Sequence, residues 1–173
     1  MPAQQSTQDQ LYEEAATSYG PALERLARAY EADVESRRDL LQEIHISVWR
    51  SFELFDQRCS MRTWIYRVAH NVASSHVLRD RRSKLQTLVG VEELDNVPWT
   101  KDDPDRRQAL DRLLGLIQQL KPLDRNVILS YLEGLDAAEI SEITGLKPGN
   151  IATKIHRIKG ILARRFQGGN DNE

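Results

Sequence analysis

The side chains best suited to binding chemistry lie late in the chain, between residues 147 and 165. This stretch holds six bases and no acids, which are Lys147, Lys154, Arg157, Lys159, Arg164 and Arg165. Cations along a helix bind phosphates, and hydrogen-bonding side chains between them bind base edges in a major groove. The pattern therefore predicts a contact with duplex DNA. The residues expected to make it are Asn150, Thr153, Lys154, His156, Arg157 and Lys159.

Two short helices joined by a tight turn are predicted to position these side chains. Asp136, followed three residues later by Glu139, predicts a capping box at the start of the first helix. Gly145 predicts the left-handed residue that ends this helix, and Pro148 suits the first turn of the next one. Charge is segregated as well, since residues 133–142 hold four acids and no base. This segregation favours a helix-turn-helix that binds DNA over the alternative, an ordinary surface hairpin with solvated charges.

A second basic patch lies earlier in the chain, between residues 61 and 84. It holds six bases against a single acid, Asp80. Trp64 and the hydrogen-bonding side chains of Asn71 and Ser75 fall among these cations. Cations follow the phosphates of a single strand, while aromatic rings stack on its bases. The patch is therefore predicted to bind an unpaired nucleic-acid strand.

Apolar spacing predicts three helices in the first part of the chain. They are expected at residues 8–32, 37–52 and 61–82. Pro21 after Gly20 predicts a kink or a restart in the first helix, and Ser36 with Asp39 resembles a capping pair that starts the second. Trp49 lies among polar residues, where it is either an anchor for a partner or an edge of the core.

The stretch between the two basic patches is acidic and lacks an apolar helical stripe. Residues 85–105 hold six acids against one base, together with Gly90, Pro98 and Pro104. A structureless stretch of this length is unusual inside one compact domain, so we expect a flexible linker. Its acidity serves solubility, or it mimics nucleic-acid charge in a basic cleft of a partner.

The predicted fold is all-α, with two small helical domains joined by this flexible acidic linker. The first module covers residues 9–84, and the second module covers residues 106–166. Within the second module, helices are expected at residues 106–120 and 122–132, ahead of a C-terminal helix-turn-helix bundle.

Composition limits the classes of function. The 173 residues include 24 Lys and Arg against 26 Asp and Glu, for a net charge of −2, so the cations form local patches on an acidic body. There is no apolar run of 18 or more residues and no basic-then-apolar leader, so we expect a soluble, cytoplasmic protein without direct membrane insertion. A single cysteine, Cys59, excludes a disulfide framework or a Cys-rich zinc site within this sequence.

The residue spacing gives no support for catalysis. His70 and His76 are six positions apart, about 120° out of register on a helix, so they do not share a face. The sequence contains no His-Glu-x-x-His pair, Gly-rich phosphate loop or nucleophile elbow. We therefore expect no enzymatic activity, no small-molecule substrate, no cofactor and no metal site.

Two separated parts of the chain resemble regions of one known family. They resemble conserved regions 2 and 4 of bacterial sigma factors. The matching residues are 39–49, 63–73 and 78–82 for region 2, and 135–146 and 150–159 for region 4. The order of the two regions, the short chain and the linker between them resemble the extracytoplasmic-function (group IV) sigma factors of the sigma-70 family. The resemblance covers roughly residues 9–166.

The resemblance implies an RNA polymerase subunit that selects promoters and helps to open DNA. Residues 55–61 would hold a base flipped out of the −10 element, because bases inside an intact stack hide their pairing edges. The −10 contacts would come from Phe55, Arg58, Met61, Trp64, Arg67, Asn71, Ser75 and Arg79. Docking on the clamp helices of core RNA polymerase would use Asp39, Leu40, Gln42, Glu43 and Trp49. The last helix would read the −35 element in the major groove.

The resemblance also implies core RNA polymerase, promoter DNA and an anti-sigma factor as partners. The linker would thread toward the polymerase active-site cleft, and the role would be that of an alternative, stress- or envelope-responsive sigma factor. This sequence departs from common family residues at His45, where Phe is common, at Asn150, where Thr is frequent, and at Lys154, where Arg is frequent. Lys lacks the fork by which Arg binds guanine, so we expect an altered −35 preference.

One alternative belongs to a different class of function. A stand-alone helix-turn-helix repressor or activator would use its N-terminal helices for dimerisation or for binding an effector. Such a domain has no need of a face that combines Trp, Arg and Asn for binding an opened strand.

Overall fold

A computed structural model describes the backbone of residues 2–84, 88–96 and 106–167, and the side chains of 7–80, 88–96 and 109–165. Over these ranges the fold consists of helices, with one isolated parallel bridge between Val89 and Leu120. The α-helices are α1 (Pro2–Tyr30), α2 (Val34–Ser51), α3 (Met61–Lys84), α4 (Arg106–Ile117), α5 (Pro122–Leu132), α6 (Ala137–Thr144) and α7 (Pro148–Gln167). Two 3-10 helices cover Phe52–Leu54 and Val91–Asn96. Among the described helices, none combines the length and the apolar character needed to cross a membrane.

The first module packs α1, α2 and α3 around a shared apolar core. Leu23, Leu40, Ile44 and Ile65 are its most deeply buried large residues. A kink or a restart was expected at Pro21; the restart is wrong, since α1 continues through it. The exposed Pro21 ring faces solvent, and the buried residues that follow keep the helix against its neighbours.

The start of α2 lies three residues earlier than the sequence pattern indicated. Asp33 is the N-cap, and its Oδ1 accepts a hydrogen bond of 2.9 Å from the backbone N–H of Ser36. The predicted capping pair of Ser36 with Asp39 is therefore wrong, because Ser36 already lies inside the first turn. The Asp33 carboxylate accepts the hydrogen bond from the first turn of α2. The sequence pattern had assigned this capping role to the Ser36 hydroxyl.

The start and end signals of the helix-turn-helix are confirmed. Asp136 Oδ1 accepts from the Glu139 N–H at 2.9 Å, and Glu139 Oε2 accepts from the Asp136 N–H at 2.9 Å. Gly145 ends α6 in the left-handed conformation, with φ of 75°, and α7 begins at Pro148. These local contacts fix the direction in which α7 leaves the turn.

The prediction of a featureless linker is wrong for residues 88–96, which we call the linker segment. The Val89 N–H donates to the carbonyl of Gln119 at 2.9 Å, and the Lys121 N–H donates to the carbonyl of Val89 at 2.8 Å. Val91 and Leu94 are buried. Their spacing of three matches the period of a 3-10 helix, which a search for α-helical stripes does not detect. The rest of the predicted linker, residues 85–87 and 97–105, lies outside the described residues.

The two modules pack against each other through a partly polar interface. His70 on α3 is buried, and its Nδ1 lies 2.9 Å from the hydroxyl of Tyr30. Its other ring nitrogen lies 3.4 Å from the hydroxyl of Ser130 on α5. Burial lowers the pKa of His70 to about 3, so the ring is neutral at physiological pH. At the edge of the interface, Arg25 pairs with Glu133 at 2.7 Å.

We expect Gly145→Ala to lower the free energy of unfolding by about 1–2 kcal/mol, because an L-residue is strained in the left-handed region. A Cβ at Gly145 would meet no atom within 4 Å, so the cost is conformational rather than steric. Gly115→Ala is the matched control, since its site inside α4 is equally open and has no positive φ. The control should gain about 0.5–1 kcal/mol. Urea denaturation measures both, and equal effects would contradict the interpretation of Gly145.

Candidate nucleic-acid interface

The outer side of α7 presents most of the side chains predicted to contact duplex DNA. Asn150, Thr153, His156, Arg157 and Lys159 are exposed. The opposite side of α7 is buried through Ile151, Ile158 and Ile161, against the second module and the linker segment. The apolar stripe therefore anchors α7 and leaves its polar row open to solvent.

Lys154 is partly buried and bound within the protein, whereas the other predicted contacts on α7 are exposed. Its Nζ lies 2.6 Å from Oδ1 of Asp124 and 3.5 Å from Oε1 of Glu92, and its side chain is 20% exposed. Burial opposes its charge, but the hydrogen bond and charge of Asp124, together with Glu92, raise the pKa of Lys154 above its ordinary value. Lys154 is thus a protonated, internally paired group in this conformation.

The linker segment runs along the side of α7 that carries Lys154. Arg157 donates to the carbonyl of Glu92 at 3.1 Å. Arg164 donates to both carboxylate oxygens of Asp95, at 3.0 and 2.8 Å. The sequence pattern gave no sign of these contacts, because a residue's partner across 60 or more positions leaves no local signal.

The loop before α3 and the start of α3 form an aromatic cluster. Phe55 and Trp64 have ring centroids 5.3 Å apart, and both rings are half-buried. Trp64 Nε1 donates to the Ser51 hydroxyl at 2.9 Å. Gln57 has a φ of 61°, which is uncommon for a residue other than glycine. The structure brings Phe55, Met61 and Trp64 together at the core edge.

An exposed row of polar side chains continues along α3. Asn71, Ser75 and Arg79 are exposed, and their spacing of four places them on one face of the helix. Arg79 donates to Glu43 on α2, at 3.1 and 3.4 Å to its two carboxylate oxygens. Arg58 is exposed and lies apart in the preceding loop.

Arg67 lies at the junction with the second module rather than in this open row. It donates to the backbone carbonyl of Glu142 on α6 at 2.8 Å. Arg62, which the sequence placed in the basic patch but not in the predicted site, donates to the carbonyl of Glu133 at 3.3 Å. The basic patch of α3 therefore meets the acid-rich start of the helix-turn-helix.

The predicted polymerase-docking residues on α2 differ in exposure. Asp39, Gln42 and Glu43 are exposed. Leu40 has 0% of its surface exposed and packs in the core of the first module, so no partner can contact it in this conformation. Trp49 is half-buried, and its Nε1 donates to Asp9 at 2.8 Å. The start of α1 thus covers part of the expected docking face.

The histidines have separate neighbours. His76 Nε2 lies 2.8 Å from Glu31, and His45 Nδ1 lies 3.0 Å from the Tyr12 hydroxyl. Over the ranges with described side chains, no three His, Cys, Asp or Glu residues group as metal ligands would.

Family models match both halves of the chain. The model for Sigma-70 region 2 matches residues 15–83, and the model for Sigma-70, region 4 matches residues 110–162. The first match covers α3 except for Lys84, and the second covers α7 up to residue 162, so each includes most of one basic patch.

Curated relatives extend the similarity across both regions. The chain is 30% identical over 139 residues to the probable RNA polymerase sigma-C factor of Mycobacterium bovis, covering 78% of this chain and 72% of that one. It is also 30% identical over 152 residues to the ECF RNA polymerase sigma factor SigE of Mycolicibacterium smegmatis. That match covers 84% of this chain, which spans only 58% of that relative's length.

Solved structures share the fold. CnrH, solved in complex with the cytosolic domain of CnrY, has a TM-score of 0.67 and 19% identity, covering 99% of this chain and 96% of CnrH. RpoE of Bartonella quintana, solved with the anti-sigma factor NepR, has a TM-score of 0.67 and 18% identity, covering 93% and 98%. The regional matches and the relatives confirm the resemblance seen in the sequence: the chain belongs to the extracytoplasmic-function group of the sigma-70 family of RNA polymerase sigma factors.

Proposed function

We propose that this sigma factor grips a promoter at two points, with α7 in the −35 duplex and α3 on the opened −10 strand. The observation that carries the proposal is that two different helices each expose a row of hydrogen-bonding and cationic side chains. One row is Asn71, Ser75 and Arg79, and the other is Asn150, Thr153, His156 and Arg157. A repressor that binds a duplex alone needs only the second row.

The −10 contact would combine a stacking platform with a phosphate track. Phe55 and Trp64 offer aromatic surface beside the loop, and a base can be read on its pairing edge only after it leaves the stack. Arg79 lies further along α3, where it can follow the phosphates of the displaced strand. The exposed carboxylates of Asp39 and Glu43 with the Gln42 amide would then form the polymerase-docking face, from which we omit the buried Leu40.

The chain would act on polymerase in the cytoplasm and perform no catalysis of its own. Its contacts in the free state favour a resting conformation, because Arg67 on the proposed −10 face binds α6 of the second module. Polymerase binding would have to separate these surfaces. We infer an alternative, stress- or envelope-responsive role from the group to which the chain belongs.

An anti-sigma factor is the second proposed protein partner. Both solved relatives named above were solved in complex with another protein, in one case an anti-sigma factor. In this chain an apolar groove of about 380 Å³ opens between α1, α4 and α5. Its rim includes Leu132, which is 51% exposed, and the cations Arg25 and Arg28. An amphipathic helix with acidic flanks would complement this groove.

The decisive experiment is transcription with purified core polymerase, with and without this chain. Promoter fragments from the source genome serve as templates. Initiation that depends on the chain is the expected result. Tight, sequence-specific binding to a promoter duplex by the chain alone, without any support of initiation, would favour the repressor reading instead.

Two substitutions of Arg157 separate base reading from phosphate binding. If Arg157 reads a base, Arg157→Ala should weaken −35-dependent binding of the holoenzyme by about 1–3 kcal/mol and relax specificity at one position. Arg157→Lys should then fail to rescue, because Lys lacks the bidentate fork. Rescue by Lys would assign Arg157 to a phosphate. Unchanged binding by both variants would remove Arg157 from the interface.

A pair of exposed leucines tests the groove. Leu132→Glu should abolish binding of a regulator recovered from a genomic-library two-hybrid screen that uses this chain as bait. Leu123→Glu is the matched control, since Leu123 is 44% exposed on the same helix but lies outside the groove. If every interactor tolerates Leu132→Glu as well as it tolerates the control, the groove is not the docking surface.

A further inference from the structure

The linker segment packs against the helix-turn-helix. Leu88, Val91 and Leu94 are buried under it, with exposed surface of 5% or less. The acids between and beside them, Glu92 and Asp95, remain 55% and 45% exposed at their side chains. The segment thus has an apolar side that packs and an acidic side that lies next to α7.

This acidic side binds cations along one edge of α7. Glu92 contacts Lys154 through its carboxylate and Arg157 through its backbone carbonyl. Asp95 pairs with Arg164 at 2.8 Å. Arg165 donates to the carbonyl of Leu94 at 2.7 Å. Carboxylate and carbonyl oxygens therefore surround basic side chains in the way that the phosphate oxygens of a duplex would.

Asp124 joins the segment to α7 at the buried end of this contact. Its Oδ2 accepts the Val91 N–H at 2.9 Å, and its Oδ1 lies 2.6 Å from Lys154 Nζ. One carboxylate thus contacts both the first residue of the 3-10 helix, Val91, and Lys154 in the first half of α7. Lys154 is therefore held mainly by Asp124 on α5, with Glu92 of the linker segment as a second partner at 3.5 Å.

The ion pairs that Glu92 and Asp95 make with α7 can be displaced, because both side chains are charged and exposed. Exposed ion pairs contribute little net free energy, so Glu92 and Asp95 hold α7 without locking it. When they are not paired with a cation, the carboxylates of Glu92 and Asp95 would repel the phosphates of an approaching duplex. A hydrogen bond from its own backbone and the charges of Lys154 and Arg157 lower the pKa of Glu92, so it carries this charge at neutral pH.

We propose that the linker segment is an internal competitor of DNA for the cations of α7. In the free chain it occupies the phosphate-binding edge of the helix, and binding of a duplex requires its displacement. The inference rests on the proposed function, since only a DNA-binding α7 gives the contact this consequence. The linker segment would inhibit the −35 contact, and this inhibition is separate from the packing of α6 on α3.

The first test removes the two exposed acids. Full-length chain carrying Glu92→Gln and Asp95→Asn should bind a random-sequence duplex of about 30 base pairs roughly three- to tenfold more tightly than the unmodified chain at low salt. Fluorescence anisotropy measures this, and the advantage should shrink as salt rises. Glu13→Gln with Glu35→Gln removes the same charge from exposed positions on α1 and α2 and is the matched control. Tightening no greater than that of the control overturns the inference.

The second test observes the segment itself. The amides of Val89, Val91 and Glu93 are hydrogen-bonded in the free chain, so they should exchange slowly with deuterium. Saturating the unmodified chain with the same duplex should accelerate their exchange, and unchanged protection in the DNA-bound chain overturns the inference. Either negative result leaves the transcription experiment to decide the proposed function separately, because initiation does not require this inhibition.

Discussion

The arrangement of the two modules depends on one buried cation, Arg125. It is 1% exposed, and its guanidinium donates to the carbonyls of Leu120 and Gln118 and, at 3.3 Å, to that of Tyr30. The Tyr30 carbonyl lies at the end of α1, and those of Gln118 and Leu120 lie in the turn between α4 and α5; backbone oxygens at helix ends carry partial negative charge. Burial lowers the pKa of Arg125 to about 10, so it stays charged at neutral pH and binds all three. Arg125 thereby joins α5 to the end of α1 and to the turn after α4.

The two proposed DNA surfaces differ in the free chain for a physical reason. Asn150, Thr153 and His156 on the outer row of α7 are open, because the apolar side of the helix packs against the second module and the linker segment. Arg67, by contrast, satisfies a backbone carbonyl of α6, and Lys154 satisfies a buried carboxylate. Cations suited to phosphate therefore bind protein oxygens while DNA is absent. Under the proposed function, the same charges would also bind promoter phosphates once these internal contacts open.

Local rules predicted those parts of the fold that local contacts determine. The capping box at Asp136, the stop at Gly145 and the start at Pro148 each depend on residues within a single turn, so the sequence displays them directly. The family resemblance led to the expectation that Leu40 is exposed and docks on polymerase. Its spacing from Ile44 and Val48 nevertheless places it on the core side of α2. The linker segment escaped detection because two buried residues three apart are too short a pattern to stand out. The polar interface around His70 was not predicted for another reason. Histidine, serine and arginine are typical of exposed positions, so their sequence pattern does not indicate burial.

The linker segment has a consequence that follows from its covalent attachment. Because it belongs to the same chain as α7, its effective concentration at that helix is set by the connecting chain and not by the amount of protein in the cell. Diluting the protein cannot release α7, and producing more of it cannot saturate the contact. Individually weak pairs are then enough to keep stray duplexes away, and only a ligand with a higher local concentration of oxyanions gains access.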